Sequence, residues 1–157
     1  MDPNSRSTDP SAINARQSLM RLCAQATEAE LQRALTLLEP LPSIHDARTP
    51  DTGLVMLRGR TGGEGQAFNL GEATVTRAAV TLDSGESGFS YILGRSPAKA
   101  RLAAIVDALG QNRQWRDRLN ASFVVPVSAR LDADLASQRA RTEATKVNFF
   151  TLVRGED

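Results

Sequence analysis

Residues 53 to 77 read GLVMLRGR, TGGEG and QAFNLGEATVTR in succession. An apolar run, a glycine cluster and a second β-like segment dictate a strand, a tight loop and a returning strand. Glycine lets a backbone take positive φ or approach another group closely. Arginine offers a planar fork of donors that fits carboxylate and phosphate. Arg58, Arg60 and Arg77 flank a loop that holds Gly62, Gly63 and Gly65. Together they describe a rigid surface for docking a partner or binding an anion. They do not make a self-contained active site.

A chain of 157 residues holds one domain with a real core. The formal net charge is +1, with 17 Arg and 2 Lys on the basic side. Nothing in that balance pulls the chain toward nucleic acid or a membrane surface. A single cysteine, Cys23, allows no internal disulfide and fits a cytoplasmic protein. No apolar run is long enough to span a bilayer. MDPNSRSTDPS lacks the pattern of a signal peptide and reads as a disordered tail over residues 1–11. Residues 12–157 then form one domain. Aromatic residues make up only 4%, so Leu, Val, Ile and Ala must fill the core.

Ile13, Leu19, Met20, Leu22, Cys23 and Ala26 fit one side of a first helix. Thr27 and Glu30 are spaced as a capping box for a second, which carries Leu31, Leu35 and Leu38 and stops at Pro40 and Pro42. Residues 40–52 hold three prolines without periodicity and predict an extended connector. The run Leu54, Val55, Met56, Leu57 suits a strand covered on both faces. Residues 73–82 alternate, and DSGESG turns them into a partner strand over residues 89–93. Ser96 and Pro97 start a helix striped by Leu102, Ile105, Val106 and Leu109. Residues 111–119 can continue helical. Phe123, Val124 and Val125 form a short apolar segment ended by Pro126. A polar helix follows over residues 128–143, anchored by Leu131 and Leu135, and the terminal TKVNFFTLVRGED reads as strand-like. The fold class is α+β: an N-terminal helical hairpin, an antiparallel or mixed sheet that includes a C-terminal strand, and two further helices.

Sites of recognisable chemistry are sparse. RGRTGGEGQ is not a Walker loop, because no Gly-Lys-Ser/Thr follows, and it lacks the dinucleotide fingerprint. A nest of backbone N–H groups beside Arg58 or Arg60 could bind an anion; a tight turn with solvated arginines is the plain alternative. Arg77 either pairs with Glu72 or reaches into a shared anion site. His45, without a second histidine nearby, fits neither a metal ligand nor a general base. Cys23 reads as a buried structural thiol, Trp115 as a packing anchor, and Asp107 as a residue on the solvent face of its helix. Phe149 and Phe150 occupy opposite faces of the terminal segment, with Arg154 close behind. One of those faces can meet a partner.

GLVMLRGRTGGEG, NLGEATVTRAAV, the turn into YILGR and the terminal VNFFTLVRGED, in that order, resemble the PhnG family from about residue 19 to residue 157. That family supplies the small G subunit of the bacterial carbon–phosphorus lyase core complex. The resemblance implies a required but non-catalytic subunit in phosphonate catabolism. It also implies assembly with PhnI, the expected direct contact, and with PhnH, PhnJ and PhnL. The complex would transfer methylphosphonate to C1′ of the ATP ribose with release of adenine, forming α-D-ribose 1-methylphosphonate 5-triphosphate. ATP and phosphonate are substrates of the complex, and the resemblance implies no cofactor, metal or catalytic residue on this chain. A free-standing anion- or nucleotide-binding module is the rival reading from the residues.

Overall fold

The computed structural model describes residues 10–62 and 64–145. Two helices come first, α1 (Pro10–Gln25) and α2 (Glu28–Leu38). Three strands follow, β1 (Ile44–Arg60), β2 (Ala67–Leu82) and β3 (Ser87–Leu93). The chain then returns to helix with α3 (Pro97–Gln111), α4 (Arg113–Leu119), a π-helical turn (Asn120–Val124) and α5 (Val125–Ala144). The sheet is antiparallel throughout, in the order β1-β2-β3. The α+β class and the N-terminal helical hairpin are as expected. The expected C-terminal strand, with Phe149, Phe150 and Arg154, lies outside the described residues.

Local chemistry sets the helix starts. The capping box of α2 forms: the Glu30 N–H donates to Thr27 Oγ1 at 3.2 Å, and the Thr27 N–H donates to Glu30 Oε2 at 2.7 Å. Two orphan N–H groups are thereby satisfied. Arg130 of α5 donates to both oxygens of the same carboxylate, at 2.8 and 3.1 Å, tying the last helix to the second. That contact, with the Thr27 donors, draws the Glu30 carboxyl down from 4.5 to about 2. Pro126 sits in the first turn of α5, where its missing N–H costs nothing. The apolar segment of Phe123, Val124 and Val125 therefore runs straight into a helix. Of the two expected anchors of α5, Leu131 packs on the core but Leu135 is exposed, and every residue from 132 to 145 is exposed.

Helix α3 is the centre of the molecule. Seven consecutive residues, 103 to 109, are buried, so no face of the helix meets water there. It packs on the sheet through β2 and β3 and carries α1, α2 and α4 around its other sides. Its small residues Ala100, Ala103, Ala104 and Ala108 permit close approach. At Gly88 the approach is closest: a Cβ there would overlap the Ala104 carbonyl oxygen and the Ala108 backbone nitrogen. Phe123, Leu31, Leu38, Val80 and Leu82 complete the core. Cys23 belongs to that core, and burial pushes its thiol up to about 12. Trp115 is buried as well, as expected.

Asp107 corrects the expectation of a solvent-facing residue. It is 1% exposed, and its carboxylate accepts from Arg16 Nε at 2.9 Å, from the second Arg16 nitrogen at 2.7 Å and from the Phe89 N–H at 2.9 Å. A buried carboxylate survives only when paired and hydrogen-bonded in this way. The group joins α1, α3 and the outer edge of β3.

Candidate docking site: the uncovered sheet face and its ribbon

Among the described residues, helices cover one face of the sheet only. Thr76, Ala78, Val80 and Leu82 point toward α3 and are buried. Side chains alternate along a strand, so Val75, Arg77 and Ala79 point away. Opposite them on β3 stand Leu93, Tyr91 and Phe89, paired in register with Val75, Arg77 and Ala79. Leu93 is 77% exposed and Tyr91 60%.

The strands also differ in length. β2 pairs β3 only as far as Val75, whereas β1 and β2 stay paired out to Arg60 and Ala67. The last seven residues of β1, Leu54 to Arg60, therefore leave the body as a two-stranded ribbon, roughly 20 Å long at about 3.3 Å per residue. Among the described residues no helix covers either face of it. Leu54 is 61% exposed, Met56 53% and Leu57 46%. The apolar run thus forms the expected strand without the expected cover. A free two-stranded hairpin is marginal in water, and this one exposes Phe68 and Leu70 in addition. Burying the exposed part of these five side chains would contribute about 1 kcal/mol each.

A bulge decides which way the tip faces. Leu57 pairs with Gly71 and Arg58 with Asn69, so Leu70 is an extra residue on β2. Its side chain lies over Gly59, where a Cβ would collide with it. Val55, Leu57 and Gly59 share the face that continues the outer side of the sheet. The outcome is an apolar side that runs from Phe89, Tyr91 and Leu93 past the buried Val75 and half-buried Val55 to the exposed Leu57, Leu70 and Phe68. The opposite face of the ribbon carries Leu54 and Met56, then Arg58 and Arg60. Those two arginines have no side-chain hydrogen bond or ion pair among the described residues.

The glycines shape the tip. Gly62 takes φ 64°, a left-handed conformation that favours glycine. Gly65 sits against the Thr61 backbone with no room for a Cβ. Gly63 lies outside the described residues.

Arg77 does not join Arg58 and Arg60. It pairs in register with Asp51, ten residues along β2 from Ala67 at the tip, or roughly 30 Å away. Its guanidinium donates to Asp51 Oδ2 at 2.5 Å, and Arg48 Nε lies 3.0 Å from the other oxygen. The Arg77 hydrogen bond holds the Asp51 carboxyl below the usual carboxylate range. The partner is thus Asp51 rather than Glu72, which pairs in register with Met56. Gly53 lies beside this pair, its would-be Cβ 3.4 Å from the Arg77 guanidinium.

Elsewhere, His45 Nε2 lies 2.8 Å from Asp83 Oδ1 on the surface. Among the described residues no three of His, Cys, Asp and Glu gather in a way that could hold a metal ion. No helix among them is long and apolar enough to cross a membrane. A cavity of about 60 Å³ between Met20, Cys23, Ile92 and Ala103 is far smaller than a nucleotide.

Sequence reasoning placed the loop and its arginines but did not single out Phe68, Leu70, Tyr91 or Leu93. The signal was present in the pairing of LVML with AFNL across the loop, which makes both ribbon strands apolar. The chain matches the family described as phosphonate metabolism protein PhnG over residues 14–155. A relative from Rhizobium meliloti (strain 1021), alpha-D-ribose 1-methylphosphonate 5-triphosphate synthase subunit PhnG, is 47% identical over 152 residues, 97% of this chain and 97% of the relative.

Proposed function

Because this chain belongs to the PhnG family, we propose that it is a non-catalytic docking subunit that holds the synthase together through its apolar sheet face and ribbon. It acts in phosphonate metabolism as a subunit of α-D-ribose 1-methylphosphonate 5-triphosphate synthase. In this reading the complex transfers methylphosphonate to C1′ of the ATP ribose, releases adenine and works in the cytoplasm. PhnI is the direct partner; PhnH, PhnJ and PhnL complete the machinery.

The observation that carries the reading is the set of exposed large apolar side chains on one side of the sheet and ribbon, Phe89, Tyr91, Leu93, Leu57, Leu70 and Phe68. Exposed apolar surface of this kind, joined to a two-stranded ribbon that is marginal by itself, marks a protein interface. Co-expression with a tagged PhnI tests it. Stable co-elution, together with self-association of the isolated chain, is the expected result. A well-behaved monomer that ignores PhnI would reject it.

A second reading rests on Arg58 and Arg60, which share one ribbon face without a counter-ion among the described residues. Two such forks suit an anion, and a free-standing nucleotide-binding module would use them. It predicts that the isolated chain binds ATP and that Arg60→Ala abolishes binding. The docking reading predicts instead that Arg60→Ala weakens co-purification with PhnI.

A further inference from the structure

An unpaired strand edge invites pairing with another chain, and folded proteins guard such edges with charges, prolines, bulges or covering groups. This sheet guards much of its edge. On β3 the Phe89 N–H is taken by Asp107, and the Ser87 carbonyl accepts from Gln111 Nε2 at 2.8 Å. On the lower half of β1 the register shifts twice between Asp46 and Asp51, with Pro50 inside the irregular stretch. Arg101 also reaches Asp46 there, at 2.8 Å. On the ribbon, the β2 edge carries Glu72 and the Leu70 bulge.

The longest stretch without these devices lies on β1. Residues 52 to 57 of β1, TGLVML, contain no charge and no proline, and their register with β2 is regular from Thr52↔Thr76 to Leu57↔Gly71. β2 pairs one side of β1, and among the described residues no strand pairs the other. Leu54, Met56 and Leu57 project to both faces and stay exposed. Just past this stretch stand Arg58 and Arg60, which have no ion-pair partner among the described residues.

We infer that residues 52–57 receive a strand from the partner subunit, which adds to the β1 edge as a fourth strand of the sheet. The inference rests on the docking reading above and specifies its chemistry. The incoming segment is extended, uncharged over about six residues, and apolar on both faces to match Leu54 and Met56 on one side and Val55 and Leu57 on the other. It carries Asp or Glu where it passes Arg58 and Arg60, giving charge-assisted hydrogen bonds. Main-chain pairing supplies the affinity, and the apolar and acidic positions supply the selectivity, as in other strand-addition interfaces. A second copy of this chain fits less well. Antiparallel self-pairing about Leu54 and Val55 would set Arg58 against Asp51, which Arg77 and Arg48 already neutralise.

Hydrogen–deuterium exchange of the chain alone and in the co-expressed complex with PhnI tests this. Amides in residues 52–57 should exchange at least about tenfold more slowly in the complex than in the free chain. Leu54→Lys, which adds the missing guard, should weaken the complex at least about tenfold while Trp115 fluorescence and melting of the free chain stay unchanged. A complex that forms without this protection would overturn strand addition and leave docking by the sheet face intact. Protection already present in the free chain would assign the edge to residues 146–157 or to a second copy, and would also overturn the inference. If no complex forms, the docking reading fails first and strand addition with it.

Discussion

Gly88 and Asp107 show how single residues fix the distance between the central helix and the sheet. Gly88→Ala puts a methyl group into the α3 backbone at Ala104 and Ala108, and neither can yield as a side chain would. The expected cost is about 2–3 kcal/mol, read as a lower urea midpoint at constant slope. Arg16→Ala leaves the Asp107 carboxylate buried with only the Phe89 N–H. That variant should lose about 3 kcal/mol. Arg16→Met with Asp107→Leu should lose less than Arg16→Ala, because no charge is then stranded. Glu30 gives a pH signature. Its carboxyl is lowered in the folded chain from 4.5 to about 2, so its contribution is complete above about pH 4.5 and disappears as pH falls through 2. Glu30→Gln, which cannot ionise, should flatten the acid dependence of the midpoint between pH 4.5 and 2. An unchanged slope would mean that the Arg130 contact does not form.

At the scale of elements, the ribbon and the body are separable. None of Leu54, Met56, Leu57, Phe68 or Leu70 belongs to the core cluster. Leu70→Ala should therefore leave the melting temperature of the isolated chain within about 2 °C, whereas Phe123→Ala should cost about 3–5 kcal/mol. Much of this layout was legible in the sequence. Thr27 and Glu30 announced α2, and DSGESG announced the turn between β2 and β3. The apolar run of Leu54 to Leu57 announced a strand but not its surroundings. Such a run carries the same signal whether the chain covers its own strand or leaves that task to a partner. Asp107 was misread because periodicity assigns a solvent face only where a helix has one, and α3 is buried on every side. Arg77 was grouped with Arg58 and Arg60 by closeness in sequence. Closeness in sequence along an extended strand is distance in space, and pairing with β1 delivered Asp51 instead.

Taken whole, the molecule is a half-finished sandwich: one sheet, helices on one side, an apolar stripe on the other and a ribbon reaching past both. Two-layer domains bury each sheet face against something. Under the docking proposal the second layer comes from the partner subunits of the synthase. The most direct test of that assignment is titration of purified PhnI with the chain and with its Leu57→Asp and Leu70→Asp variants. Each variant's own fold is checked by Trp115 fluorescence and thermal melting. Loss of affinity by about a hundredfold or more, with folding unchanged, is the predicted result. Equal affinity for the wild-type chain and both variants would contradict the account.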